Sequence, residues 1–413
     1  MTPSSPSHGP ARAHDGSVLE VFLVFLRLGL TSFGGPVAHL AYFREAFVER
    51  RRWLSEKAYA DLVALCQFLP GPASSQVGMA LGLQRAGWGG MAAAWFAFTM
   101  PSVVLLVVVA YGVSAVGDLS DAGWIHGLKA AAVAVVAHAV LGMARTLTPD
   151  AARATIAALA MITVVLVPHP FIQVAAIAAS GVIGLVWLRP ETPQAREEDA
   201  FTVAVSRRVA AAALVLFGIL LVGLPLLVAA AGSAAWHAAA QLVDLFYRAG
   251  ALVFGGGHVV LPLLEAETVG SGLVDPEVFL AGYGAAQAVP GPLFTFAGYL
   301  GASTTSGPSG VVGALIAVAA IFLPAALLVV GALPFWEALR GAPLARRALT
   351  GVNAGVVGIL AAALYDPVFT AGVLDVGPGA LGLVVGAFIA LNSWRVPAWA
   401  VVLVAGVLGW LVL

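Results

Sequence analysis

The sequence predicts an all-α polytopic membrane protein. Two inverted-topology repeats, each with two re-entrant helical hairpins and about four transmembrane helices, are joined by one connecting span. Three observations predict this: composition, an internal repetition, and the placement of the basic residues. Of 413 residues, 61% are hydrophobic and 10% charged, with a mean hydropathy of +0.97. A soluble domain carries about 25% charged residues. The apolar runs 88–114, 209–231 and 311–333 each exceed the roughly 20 residues that a span needs.

The repetition is specific. Phe25, Arg27, Gly29 and Phe33-Gly34-Gly35-Pro36 are followed by Gln67 and Pro70-Gly71-Pro72. Phe246, Arg248, Gly250 and Phe254-Gly255-Gly256-Gly257 are followed by Gln287 and Pro290-Gly291-Pro292. Each copy sets helix-breaking residues inside an apolar stretch. Broken helices at matching positions of two halves point to a central binding site in a membrane.

The 20 Lys and Arg residues are clustered. Arg44, Arg50, Arg51, Arg52 and Lys57 share one loop, Arg85 sits in a short connection, and Arg145 and Arg153 flank another. Arg189, Arg196, Arg207 and Arg208 occupy a central linker, Arg340, Arg346 and Arg347 a later loop, and Arg395 a late turn. The positive-inside rule makes these loops cytoplasmic. Segments 115–122, 168–170, 232–235, 265–277, 306–309 and 366–375 contain no Lys or Arg and are assigned outside. The basic loop 44–57 corresponds to the acidic 265–277, and the acidic 115–122 to the basic 337–347, so the halves are expected to lie inverted. The apolar run 208–231 supplies the flip.

Loop 44–57 and Arg85 fall on one side, so 58–84 must enter and leave there, turning at Pro70-Gly71-Pro72, where a helix cannot continue. The same reasoning gives hairpins 18–47, 238–267 and 277–305, broken at Gly34-Gly35-Pro36, Gly255-Gly256-Gly257 and Pro290-Gly291-Pro292. The expected spans are then 88–114, 121–145, 151–167 and 170–188 in half one, and 310–335, 344–364, 376–392 and 396–413 in half two. The alternative makes 18–33 and 241–254 full tilted spans and puts the amino terminus outside; Arg12 and loop counting favour it inside. The domain organisation follows: a polar cytoplasmic tail 1–17, a first repeat 18–188, a linker and connecting helix 189–237, and a second repeat 238–413.

Broken backbone at membrane depth is tolerated only when buried in protein or lining a wet cavity. The four tips are therefore expected to meet near the midplane. Helices that restart after the breaks turn unpaired amide N–H groups and positive dipole ends inward, an anion site made from backbone. Gly34, Gly35, Gly71, Gly255, Gly256 and Gly291 are the candidate backbone donors, with Pro36, Pro70, Pro72, Pro290 and Pro292 as structural breaks. Ser74, Ser75, Gln76 and Thr295 would add side-chain donors. Arg27 and Arg248, at equivalent positions in apolar arms, would supply charge, since a guanidinium can donate two hydrogen bonds to one oxyanion. The structural reading instead pairs Arg248 with Asp244, four residues earlier, and Arg27 more loosely with Glu20. Lys129 either adds charge to the site or snorkels to the interface. His258 either contacts substrate or caps a helix. Asp61, near the basic loop, is expected to be solvated, and Trp53, Trp88, Trp124, Trp236, Trp336 and Trp394 to anchor at the interfaces.

Other chemistry finds no support. The single cysteine, Cys66, excludes an intramolecular disulfide and cysteine metal clusters. The histidines are not metal-spaced, no nucleotide motif is present, and no cofactor, metal or nucleic-acid partner is expected. An intramembrane enzyme would need a catalytic constellation that the sequence does not offer. Small-residue faces such as Gly181 and Gly184 would pack helices within one chain or between two copies of a homodimer.

With Arg50-Arg51-Arg52-Trp53-Leu54 between the first two motifs, these residues resemble the chromate ion transporter family in its long, two-domain form, over about 18–188 and 240–413. The resemblance implies chromate efflux and chromate resistance, inverted paired domains, and site positions at Arg27, Gly34, Gly35, Pro70, Gly71, Pro72, Arg248, Gly255, Gly256, Pro290, Gly291 and Pro292. Gly257 departs from the Pro36 of half one. The implied partners are chromate or a sulfate-like oxyanion and the lipid bilayer, in the cytoplasmic membrane of a prokaryote. Exchange of sulfate or another oxyanion, or passive anion conduction, are the alternatives within transport.

Overall fold

A computed structural model describes residues 16–413 except 34, 117–122, 168–171, 190–200, 202, 204, 233–235, 255–259 and 337–341. Among the described residues every regular element is helical. Half one comprises α1 (Val18–Thr31), α2 (Gly35–Arg44), α3 (Glu56–Phe68), α4 (Ala73–Val116), α5 (Gly123–Leu147), α6 (Ala151–Leu166) and α7 (Ile172–Trp187). After α8 (Arg207–Ala231), half two comprises α9 (His237–Leu252), α10 (Val260–Thr268), α11 (Pro276–Ala288), α12 (Phe296–Ala302), α13 (Gly310–Ala332), α14 (Pro343–Ala363), α15 (Pro378–Asn392) and α16 (Ala398–Val412). Among the described residues, five helical stretches are long and apolar enough to cross a membrane: 73–115, 123–147, 207–231, 310–335 and 343–374.

Local chemistry sets the helix ends. Ser17, Ser55, Asp150 and Asp275 each accept a backbone N–H of the turn that follows, the side-chain cap that satisfies a first-turn donor. Pro276 opens α11, where its missing N–H costs nothing. α1 has 14 residues, a rise of about 21 Å, well short of the ~30 Å hydrocarbon core. α6, α7, α15 and α16 have 15 or 16 residues, a rise of about 22–24 Å, so they too are shorter than the spans read from hydropathy. The expected second arm, ending at 84, and the span from 88 are distinct segments of α4: Ala86 (φ −143) and Gly87 (φ +63) leave helical geometry, and the chain folds back so that Gly82 packs against Gly90 and Ala94. A short π-helical stretch follows α2 (Glu45–Arg50), and after α14 the chain breaks at Asp366, whose φ −134 and ψ +119 are extended.

The core is divided between the hairpins, and α4 and α13 are shared. One apolar cluster joins α1 and α3 to the start of α4 and to Ala325, Leu328, Val329 and Trp336 at the far end of α13. The other joins α9 to α12 with the near half of α13 and with Val103, Leu106, Ala110 and Val113 of α4. Each long helix thus packs on its own half first and on the opposite half after its internal proline, Pro101 or Pro324. A proline removes one intrahelical bond and frees a carbonyl four residues back. At that level the arm glycines make their closest approach: a Cβ on Gly29 would lie 2.8 Å from the Ala97 and Phe98 carbonyl oxygens, and one on Gly250 would overlap the Ile321 carbonyl.

The two ends of the molecule are tied by different contacts. At one, Arg85 pairs with Glu20 at 3.2 Å and lies over Trp53, and Arg44 joins Glu49 and Glu56. Glu20 therefore serves Arg85 and not Arg27. Asp61 is not merely solvated. Its oxygens accept Trp336 Nε1 at 2.8 Å and the Phe201 amide at 3.3 Å, which ties α3 to the end of α13 and to the linker. Trp336, 8% exposed, is thereby a buried strut and not an interfacial anchor. At the other end the Thr305 amide donates to Leu273 and the Tyr299 hydroxyl to Val278.

Candidate functional site

The two Pro-Gly-Pro turns meet the ends of α1 and α9 through crossed contacts between the halves. The Gly71 amide, in the first Pro-Gly-Pro turn, donates to the Val253 carbonyl at the end of α9 at 2.7 Å. The Gly291 amide, in the second, donates to the Ser32 carbonyl at the end of α1 at 2.8 Å. Ser32 and Val253 each stand five residues after their repeat's arginine, so the bonds are equivalent and exchanged. Gly71 has φ +111 and Gly291 φ +97, a region that side chains rarely enter. Gly71 faces Ala325 of α13, while Gly291 faces Ser102 of α4. These residues directly follow Pro324 and Pro101, so the match extends to the helix that supports each turn. The Ser102 hydroxyl donates to the Pro290 carbonyl.

Polar side chains gather at the first tip. His39, fully buried on α2, approaches the Ser32 carbonyl with Nε2 at 3.1 Å and the Ser74 hydroxyl with Nδ1 at 3.4 Å, and stands edge-on to Phe98. Gln76 Nε2 donates to the Pro70 carbonyl at 2.8 Å. The hydroxyls of Ser32, Ser75 and Thr99, with Gln76 Oε1, are buried and have no hydrogen-bond partner among the described residues. Buried polar atoms are rarely left so. At the second tip the Thr295 hydroxyl is already used, donating to Pro292 at 2.8 Å within its own turn. Unspent hydroxyls therefore concentrate on the half-one side.

The predicted residues do not all converge. Gly35 and Pro36 open α2, Pro70, Gly71 and Pro72 form the first turn with Ser74 and Ser75 in the first turn of α4, and Pro290, Gly291, Pro292 and Thr295 form the second. Gly34, Gly255, Gly256 and His258 lie outside the described residues. Arg248 is held by Asp244 at 3.0 Å and by both oxygens of Glu267 at 2.6 and 3.0 Å. The Asp244 contact is the i,i+4 pairing legible in the sequence. Glu267, across the hairpin, is not. Arg27 is exposed and forms no ion pair with a described residue. Lys129, its side chain 4% exposed, reaches Glu277 at 3.3 Å. Glu277 opens α11, about 20 Å of helical rise from Pro290, so this ammonium belongs to the end of the molecule and not to the tips. His39 was visible only as one histidine among several, because nothing in its spacing announces that Ser32 and Ser74 converge on it.

A family model described as chromate transporter matches residues 19–185 and 240–410, that is, both halves. The chromate transport protein of Pseudomonas aeruginosa is 28% identical, covering 98% of this chain and 97% of its own length. A probable chromate transport protein of Synechococcus elongatus is 27% identical, covering 84% of each, and the chromate transport protein of Cupriavidus metallidurans is 25% identical, covering 84% and 81%. No solved structure matches the chain. With both halves matched separately and the repeated motifs meeting at one place, this all-helical membrane protein belongs to the chromate transporter family.

Proposed function

We propose that the chain is a secondary transporter that exports chromate, a tetrahedral dianion, across the cytoplasmic membrane of a prokaryote by alternating access. In this reading the repeats lie inverted, and α1–α2, α3 with the start of α4, α9–α10 and α11–α12 are re-entrant hairpins. Their tips enclose a midplane site. The backbone at Gly34, Gly35, Gly255 and Gly256, the hydroxyls of Ser74 and Ser75, and His258 bind the oxyanion, and Arg27 supplies charge along its arm; the amides of Gly71 and Gly291 are spent on holding the tips together, and Arg248 is committed to Asp244 and Glu267. His39 orients Ser74.

The observation that carries this reading is the crossed pair of tip bonds beside the unpartnered hydroxyls of Ser32, Ser75 and Thr99. Each buried group without a partner costs about 1–3 kcal/mol, which a bound oxyanion would recover by accepting from it. Export is the direction the membrane potential favours: a dianion leaving a negative interior gains about 4.6 kcal/mol per 100 mV, two charges at ~2.3 each. Sulfate has the same charge and shape, and its competition measures how selective the site is.

The test uses Ser75→Ala and Thr99→Val in proteoliposomes. Each removes a hydroxyl that stabilises nothing in the fold, so unfolding stability should hold or rise while the KM for chromate rises several-fold. Unchanged chromate KM in both variants would remove these hydroxyls from the site and the tips as its location.

A further inference from the structure

The connecting helix α8 is the least buried of the membrane-length stretches. Of its apolar stretch 6% is buried, against 44% or 56% in the other four. A groove of about 540 Å³ runs between α8, α4 and the far end of α13. Volumes of about 300–1,000 Å³ suit a small-molecule ligand. Every lining side chain is Ala, Val, Leu, Met or Trp. Val209, Ala212, Ala213 and Leu216 come from α8, spaced as one helical face. Met79 and Met91, on either side of the α4 break, are buried, whereas Val209, Leu216 and Trp88 are exposed. The groove therefore has a floor of protein and an open rim.

We propose that this groove binds an acyl chain of one anionic phospholipid from the surrounding bilayer, with the lipid phosphate on Arg207 and Arg208. The charge sits where that ligand needs it. Arg208 directly precedes Val209, and both arginines are exposed and form no ion pair with a described residue. From Val209 to Leu216 the helix rises about 10 Å, so the groove begins at the basic end of α8 and runs inward. A phosphate held by the arginines leaves its chain pointing along an apolar channel. Trp88, exposed at the rim, is a residue type that sits at the headgroup level. Binding here is separate from transport through the tips.

A second copy of the chain is a poorer occupant. Two copies inserted the same way and related by a twofold axis would face their α8 helices at the same level. Both Arg207–Arg208 pairs would then meet, and like charges repel. An anionic lipid instead neutralises the pair. Acids described at this end of the molecule already have partners. Glu20 holds Arg85, Glu49 and Glu56 hold Arg44, and Asp61 accepts from Trp336.

The site is tested by native mass spectrometry of the full chain released from nanodiscs of equal phosphatidylglycerol and phosphatidylcholine. Wild type should retain one phosphatidylglycerol in preference to phosphatidylcholine. Each arginine near an anionic membrane surface is worth about fivefold in affinity, so Arg207→Gln with Arg208→Gln should lower that preference by about 25-fold. Ala212→Trp, which sets an indole into the groove, should lose the retained lipid of either kind. Leu226→Trp, at an exposed position further along α8 and outside the groove, should keep it. The two arginines are exposed, so their variant decides the matter if Ala212→Trp does not fold. No preference for phosphatidylglycerol in wild type, or a preference unchanged in the arginine variant, overturns the phosphate site. Lipid retained by Ala212→Trp as by wild type overturns the groove as its seat. A wild-type dimer that Ala212→Trp splits would put a second copy in the groove and overturn the lipid assignment.

Discussion

Replacing Gly291 with alanine tests the crossed tip geometry more sharply than any charge change. Gly291 has φ +97, and its amide donates to the Ser32 carbonyl of the opposite half. An alanine held in such a region costs about 1–3 kcal/mol. Its Cβ would also overlap the Ser102 hydroxyl and displace it from the Pro290 carbonyl. That buried hydrogen bond contributes about 0.5–1.5 kcal/mol. Gly291→Ala should therefore destabilise by about 1.5–4.5 kcal/mol, the sum of the two terms. The opposite half provides the control: Gly71 has φ +111, but its Cβ would overlap nothing, the nearest atoms being the Ala325 methyl at 3.1 Å and Gln76 Nε2 at 3.3 Å. Gly71→Ala should show the backbone term nearly alone. Adding Ser102→Ala to Gly291→Ala removes the clash and should recover about 1 kcal/mol without restoring wild-type stability. Reversible unfolding in mixed micelles reads these differences. A Gly291→Ala protein within about 0.5 kcal/mol of wild type, the range of an inconsequential substitution, would refute the tip geometry.

Three further outcomes follow from the charged groups. Glu277→Gln strands the buried Lys129 and should destabilise by about 1–3 kcal/mol, below the ~3–5 of a fully buried pair because the Glu277 side chain is 40% exposed; Lys129→Leu in the same chain should recover most of it, as a double-mutant cycle would show. Asp61→Ala removes the acceptor of Trp336 Nε1 and of the Phe201 amide, so it should cost about 1.5–3 kcal/mol and speed limited proteolysis of the linker around 201–206. Asp150 caps α6, and the hydrogen bond from the Arg153 amide, then that from its side chain, holds its carboxyl below the ordinary value. The stability it adds is present above its unfolded value of about 3.9 and is lost as pH falls through the lower folded one; a pH series comparing wild type with Asp150→Ala should converge in acid.

The parts of this fold that were legible in the sequence are those that local chemistry dictates. Pro70-Gly71-Pro72 and Pro290-Gly291-Pro292 end helices whatever surrounds them, and Asp244 lies one turn from Arg248, so breaks and near neighbours could be read directly. The repetition then implied that the breaks belong together. The partners across the halves were not legible. Nothing local to Gly71 or Gly291 says that their amides reach Val253 and Ser32, since those bonds join segments far apart in the chain. The two arginines illustrate the same limit. Arg27 and Arg248 look equivalent because their motifs match, yet Glu267, nineteen residues on, commits one guanidinium while Ala46 leaves the other exposed. Lys129 read as a charge within a span, but its partner Glu277 sits on another helix. Arm and span were legible as separate because Arg85 and Gly87 punctuate them, and the backbone breaks there, with Gly87 at φ +63.

The central claim is that this chain moves chromate outward through the site at the crossed tips. It is tested most directly by chromate uptake into everted membrane vesicles carrying the chain, under an imposed potential, with and without excess sulfate, beside vesicles carrying Arg27→Gln. The side chain of Arg27 is exposed and forms no ion pair with a described residue, so its replacement should leave the protein folded. The account predicts saturable, potential-dependent accumulation in wild type that persists against sulfate and is lost in Arg27→Gln. No accumulation by folded wild-type protein under an imposed potential would contradict it.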